Sequence, residues 1–452
     1  MRESSNRGLR KNRITGALLI AFALAVTTTV DAANWLMLQG VEPKANLGKA
    51  TFWGFIQPAW MQTDGSTLRA GGWSGQAALF NQLPPQFDKH AGFNINRARI
   101  GVRGANIPGT DKVHYFVLAE AGNNGITRAG AGRIKLVDAS LTFNMIPGAR
   151  VRVGQFKYPG AEEGMQAVHV MDYINYTNAT DQLLNERFFN SDGTDTAGNT
   201  TDRNAPNGPV GAFRDIGVQV FDAFKHGAWE HSYAVMLGNG NGIDRGDNNG
   251  SKDLYLYGSS ELLLGGEPGP RQNGLKLFIW QQRGKRDLRA GNAQTMASFD
   301  RTRQGLGVSF HKDRYRLVSE LILADGVIPN GTDGGAVPGA LNNAGTRVAS
   351  FNVLTSSKAR GWYLDSGYAF TPQWEFDLRY DALDRGTAIA VTERDSRTTT
   401  VGVQYFFSKK IRLTLNHEFR SAKAPHLPGS DPVNVILNGT DDRTALQLTA
   451  VF

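Results

Sequence analysis

Arginine recurs at every second position in several parts of this chain: Arg97 and Arg99, with Arg103, in "NRARIGVRG", Arg150 and Arg152 in "ARVRVG", Arg301 and Arg303 in "DRTRQG", Arg314 and Arg316 in "DRYRLV". Residues two apart share one face of an extended strand, so each pair presents its guanidinium groups side by side. Arg412, Arg420 and Arg443 fit the same parity in their own segments, and Lys157 and Arg187 lie in or beside a long insertion. The chain holds 33 Arg against 16 Lys. That choice matters, because Arg keeps its charge at any relevant pH and offers a planar fork to oxyanions. The chemistry is weak capture and release of small anions along a wall rather than bond making. Acids of the same parity (Glu120, Asp138, Glu261, Glu320, Glu375, Asp377, Asp381 and Glu418) leave a second reading open. They would turn the wall into a salt-bridged lining with a transverse field and little selectivity.

Other chemistries find little support in the residues. There is no cysteine, so thiolate catalysis, thiolate metal sites and disulfides are excluded. The eight histidines are scattered singly, without metal-ligand spacing. Acyl transfer needs a hydroxyl, a base and an orienting acid together, and His417, the candidate base, falls on the outward face of its segment. "GNGNGIDRGDNNGSKD" places Asp244, Asp247 and Asp253 among glycines, a pattern that suits an exposed turn better than a calcium loop. No helix follows the glycines to make a nucleotide loop. The expectation is therefore a protein that is not an enzyme, with no cofactor, no metal and no nucleic acid partner.

The elements that position the arginines are short and numerous. Period-two alternation picks out sixteen segments: 51–61, 93–103, 111–120, 134–144, 149–157, 214–224, 228–237, 252–264, 274–284, 301–311, 313–323, 359–370, 373–383, 396–407, 410–420 and 443–452. Ten residues at ~3.3 Å each, tilted by ~40°, rise ~25 Å, the height of the apolar band of an outer-membrane barrel. The connections alternate between short turns ("MIPG", "KHG", "HKD", "TP", "SKK") and long loops such as 62–92 and 158–213. Aromatic residues flank the short turns: Phe143, Phe224, Trp229, Phe310, Tyr315, Phe370, Trp374 and Phe407. Rings favour the headgroup level, so these and the last residue, Phe452, are expected to form one girdle. At the other end of the chain, a basic stretch and the apolar "ITGALLIAFALAVTTTV" predict a cleaved signal peptide over 1–33. Its removal takes five basic and two acidic residues, lowering the formal charge from +8 to about +5.

These features together predict an all-β fold, a transmembrane antiparallel β-barrel of about 16 strands with short periplasmic turns and long extracellular loops. The boundaries are 1–33 signal peptide, 34–50 short periplasmic N-terminal segment, and 51–452 barrel with 158–213 as the constriction loop. Within that loop, Met165, Val168, Met171 and Ile174 fall at helical spacing and predict a short amphipathic helix against the inner wall.

The stretches "FNINRARIGVRG", "IKLVDASLTFN" and "ARVRVGQFKYPGAEEG" resemble the porin O/P family of phosphate-selective and related outer-membrane porins. The recognisable sequence runs over residues 93–174. The resemblance implies a passive, water-filled outer-membrane channel in Gram-negative bacteria, a homotrimer, an inward-folded third loop, and a terminal aromatic, Phe452, read by the outer-membrane assembly machinery. Small anions such as phosphate are the implied solutes and lipid the implied surroundings. Less favoured alternatives are a general diffusion pore, an outer-membrane enzyme and a barrel whose lumen is plugged.

Overall fold

In a computed structural model, the structure describes residues 34–63, 67–76, 78–79, 91–124, 126–127, 134–185, 187–189, 206–210, 212–243, 246–247, 249–266, 269–288, 297–330, 335–336, 340–346 and 352–452. The predicted signal peptide and Asp244 lie outside them. Sixteen strands form a closed antiparallel barrel. They are β1 (Ala50–Thr63), β2 (Ala91–Gly104), β3 (Val113–Glu120), β4 (Lys135–Ile146), β5 (Ala149–Lys157), β6 (Arg214–His226), β7 (Trp229–Gly238) and β8 (Asp253–Leu263). Then follow β9 (Gly274–Leu288), β10 (Ala297–Lys312), β11 (Tyr315–Asp325), β12 (Lys358–Ala369), β13 (Trp374–Arg385), β14 (Arg394–Ser408), β15 (Ile411–Lys423) and β16 (Arg443–Val451). Every segment predicted from alternation is a strand of the barrel.

Consecutive strands pair with one another, and β16 closes on β1 through partners such as Trp60 and Leu446. Closure reaches the final residue. The Phe452 N–H donates to Gly54 O at 2.9 Å and Gly54 N–H donates back to Phe452 O at 3.1 Å. A Cβ at Gly54 would stand 2.6 Å from both the Phe452 ring and Arg99 O, so only glycine lets the ring lie on β1. Strand pairing, rather than a frayed tail, thus holds the last residue in place.

Alternation sorts the two faces. Leu277 and Ile279 of β9 and Trp362 and Leu364 of β12 are exposed on the outside, while Phe278, Trp280 and Tyr363 between or beside them are buried inside. Near the short turns Phe224, Trp229, Tyr315, Phe370, Trp374, Phe407 and Phe452 are all exposed, and Trp374 packs with Phe370 and Tyr405. The inside departs from the expected watery wall. Phe55, Met61, Phe116, Phe156, Phe221, Met236 and Trp280 point inward and join a large apolar cluster. What covers them is the chain itself.

Among the described residues, two segments enter the barrel. Residues 34–46 carry a short helix, Trp35–Leu38, capped by the Asn34 side chain, and both Trp35 and Leu36 are buried. Arg103 of β2 anchors this strap by donating to Glu42 Oε1 at 2.5 Å, Val41 O at 2.8 Å and Leu38 O at 3.1 Å. Asn34 reaches β7, donating to Glu230 and Ser232 at 2.7 Å. The strap therefore crosses the interior at the short-turn end, from β2 to β7. The second segment, 158–185, follows β5 and forms the candidate site.

Candidate functional site

Tyr158 donates its N–H to Phe213 O at 3.0 Å, so the segment leaves and returns at one point of the wall between β5 and β6. From there it spans the interior. Glu162 N donates to Glu320 of β11 at 3.2 Å, Tyr173 OH to Asp365 of β12 at 3.0 Å, and Asn178 to Asp381 of β13 at 2.7 Å. Ile174 N and Asn175 Nδ2 donate to Asn416 and Glu418 of β15 at 2.9 and 3.0 Å. Met165, Val168, Met171 and Ile174 are all buried. The predicted amphipathic helix is corrected to a single turn, Glu162–Met165, followed by bends and a π-turn at Thr180–Leu184. The reason is competition: wall side chains hydrogen-bond the loop backbone directly, and those bonds replace the ones a helix would make internally.

Most of the arginines predicted to capture and release anions along the wall face the interior, but nearly all of those are engaged. Arg99 donates to Glu120 at 2.7 Å, and Arg443 pairs with Glu418. Arg97 donates to Gln57 at 3.0 Å, and Arg301 to Gln282 at 3.2 Å. Arg303, with no exposed surface, donates to the carbonyls of Leu183, Gly326 and Val327 at 3.1, 2.9 and 2.7 Å. Arg412 donates to Met171 O at 2.6 Å, Lys157 to Gln166 O at 2.7 Å, and Arg420 to Asp441 O at 2.7 Å. Arg152 lies against the Phe221 ring at 4.6 Å, Arg103 holds the strap, and Arg150 pairs with Asp222 near the short turns. Arg314 is a correction, since it sits exposed in the turn before β11 rather than on the wall. Arg187 falls on the short strand Arg187–Phe189, and its side chain is outside the described set.

The expectation of weak anion capture and release along the wall is therefore corrected for its covered part. A buried guanidinium without partners is expensive, and the inward acids and loop carbonyls remove that cost. The densest case is Arg316, within 3.4 Å of four carboxylates: Asp172, Asp365, Glu375 and Asp377. Asp172 also receives Arg271 at 2.7 Å and lies 3.8 Å from Arg412. Burial alone would favour its neutral form, but Arg316, Arg271 and Arg412 outweigh burial and hold Asp172 below the usual carboxylate range.

Sequence reading missed several members of this network. Arg379 of β13 donates to Glu163 at 3.2 Å and to Asn175 O at 3.1 Å. It has the parity of Glu375, Asp377 and Asp381, so the same alternation points to it. Arg214 pairs with Asp138 at 2.9 Å, and Lys276 with Glu162 at 2.6 Å. Arg271 comes from a turn, where no parity exists to read. Among the described residues no group of three acids or histidines is placed to hold a metal. Asp247 is paired with Lys252, and Asp253 is held by Arg286 at 2.9 Å.

Between loop 158–185 and the short turns lies a cavity of about 410 Å³. Val170, Met171, Asp172 and Tyr173 of the loop line it, with Arg316, Arg412, Phe406 and, from the turns, Arg271, Lys409 and Lys410. Arg271 lies over the Phe406 ring at 4.9 Å and Arg412 at 5.8 Å. Acids (Glu162, Glu163, Asp172 and Asp365) line it too, but among the described residues Lys409 and Lys410 make no ion pair.

No family model and no curated protein matches the chain. Solved structures do match. The anion-selective porin from Comamonas acidovorans superposes with a TM-score of 0.50 at 14% identity, over 89% of this chain and 99% of that one. Salmonella typhi OmpF in complex with daunomycin gives 0.53 at 12% identity, over 91% and 99%. Pseudomonas putida OprB at high pH gives 0.51 at 9%, over 89% and 94%. The chain has the closed-barrel fold of these porins.

Proposed function

We propose that the chain is an outer-membrane channel that passes small hydrophilic solutes passively and prefers anions. The observation that carries this reading is the lumen. An inward loop narrows a closed barrel, and the cavity beneath it is rimmed by Arg271, Lys409, Lys410 and Arg412. The outward apolar face and the exposed aromatics near the short turns support a membrane setting. On this reading the short turns face the periplasm, the long loops face outward, and 1–33 directs export. The O/P resemblance adds phosphate as the first oxyanion to try, assembly as a homotrimer, and Phe452 as the assembly signal.

Selectivity is assigned to Lys409 and Lys410 on the rim and not to the arginines, because a guanidinium already satisfied by carboxylates or carbonyls has little left for a passing ion. The test is a planar-bilayer recording of the purified chain under a KCl gradient. An anion-selective reversal potential that weakens in the variant K409Q/K410Q supports the reading. A cation-selective potential overturns the anion preference, and absence of conductance overturns the channel.

A second reading, a weakly selective diffusion pore, is favoured by the pairing around Arg316, where acids and arginines balance across the lumen. It predicts a reversal potential near zero and no effect of millimolar phosphate on chloride current.

A further inference from the structure

The cavity between loop 158–185 and the short turns has two kinds of wall, which differ in what they can still bond. Rings and apolar chains supply much of it: Trp35 from the strap, Val170, Met171 and Tyr173 from the loop, Val318 of β11 and Phe406 of β14. The polar tips of Trp35, Tyr173 and the neighbouring Tyr363 are already bonded. Trp35 Nε1 donates to Glu162 at 2.9 Å, Tyr173 OH to Asp365 at 3.0 Å and Tyr363 OH to Glu320 at 3.0 Å. What these residues offer to a solute is therefore ring surface.

The charges of the lining are spent in the same way, except at one edge. Lys276 holds Glu162 at 2.6 Å, Arg379 holds Glu163 at 3.2 Å, Arg271 holds Asp172 at 2.7 Å and Arg316 holds Asp365 at 2.7 Å. Arg412 gives its Nη2 to Met171 O at 2.6 Å. Lys409 and Lys410, exposed in the turn between β14 and β15, make no ion pair among the described residues. An inorganic oxyanion carries charge on every side and needs donors all round it. This cavity offers two ammonium groups at one edge and rings beyond them. That arrangement suits an anion whose charge sits at one end of a flat apolar body.

We infer that the cavity binds an aromatic carboxylate, its ring against Phe406, Val318 and Val170 and its carboxylate at Lys409 and Lys410. The inference rests on the lysine rim of the channel reading and narrows its solute class. It is tested with the full chain folded in phospholipid nanodiscs, with binding of radiolabelled benzoate, acetate or benzyl alcohol measured by equilibrium dialysis against empty discs. Wild type holds benzoate roughly thirtyfold more tightly than acetate, the ratio expected for burying one ring. It holds benzoate about tenfold more tightly than neutral benzyl alcohol, and K409Q/K410Q loses that tenfold. The variant V170T/V318T keeps the shape of the wall but adds hydroxyls to it, and lowers the benzoate-to-acetate ratio about threefold. Both variants keep the gel mobility of a folded barrel, so weaker binding is not unfolding. Equal binding of benzoate and acetate by wild type, or benzyl alcohol bound as tightly as benzoate, overturns the inference. So does unchanged benzoate binding in K409Q/K410Q, or displacement of benzoate by equimolar inorganic phosphate, which would make the edge a bare anion site. A chain that shows the benzoate preference but does not conduct refutes the channel and leaves this site standing. An anion-selective channel without the preference overturns the site alone.

Discussion

Replacing Arg103 with Gln tests whether the strap 34–46 is held in the barrel by one residue. Arg103 donates three hydrogen bonds to the strap, one to the Glu42 carboxylate and two to carbonyls, with its side chain 21% exposed. Bonds to or from charged groups contribute roughly 1.5–3 kcal/mol each. Taking the low end, and discounting for exposure and for the bond Gln retains, the loss is about 3 kcal/mol. Glu42 would keep its bond from backbone N–H to His114 Nδ1 at 2.9 Å, and Trp35 its bond to Glu162 at 2.9 Å, so the strap loosens without detaching. Since ~1.4 kcal/mol is a factor of ten in an equilibrium constant, amide exchange in 35–42 should speed up about a hundredfold. The assay is hydrogen exchange by mass spectrometry on the barrel folded in vesicles, with β12 and β13 as internal references. A strap that exchanges at the wild-type rate, with the reference strands also unchanged, refutes the assignment of Arg103 as its anchor. On the channel reading, the same variant should show larger or noisier single-channel current.

Arg316→Gln leaves Asp365 and Asp377 without a counter-charge and should cost about 3–5 kcal/mol in urea unfolding from vesicles, whereas R316M/D377L, which still leaves Asp365 unpaired, should recover only part of it. Gly54→Val drives a side chain into Arg99 O and the Phe452 ring and should reduce the yield of heat-resistant barrel on gels; unchanged yield would remove Phe452 from barrel closure. Asp172, held below the ordinary carboxylate value of ~3.9, supports docking of the loop fully above that value and loses its effect only as pH falls through its lower folded value. Current steps should therefore be insensitive to this residue between pH 7 and pH 5, and a change in the wild type that Asp172→Asn abolishes would contradict that. The same Asp172→Asn variant removes one acid beside Arg271, Arg316 and Arg412 and should move the reversal potential toward anions.

The strands were legible because a sheet with unlike faces imposes a period of two on its sequence, and every strand from "TFWGFIQPAWM" to "RTALQLTAVF" obeys it. The same parity located Arg99, Arg303 and Arg443 on the interior and Glu120, Asp377 and Glu418 beside them. It did not reveal which arginine meets which acid, because partners such as Arg316 and Asp172 are 144 positions apart and joined only by the loop's path. The loop itself was misread locally: Met165, Val168, Met171 and Ile174 keep a helical interval, yet what they bury against is set by Asn416, Asp365 and Arg379 on distant strands.

Sequence by itself determined the closed sheet, its strand count, the outward apolar face and the inward charge, since each follows from nearest-neighbour chemistry along a strand. Only tertiary structure decided that the strap crosses the interior, that most wall arginines are spent on acids and carbonyls, and that Lys409 and Lys410 stand at the rim of one cavity. The physical reason is that burial and ion pairing are properties of the enclosed space, and that space exists only after β16 has closed on β1.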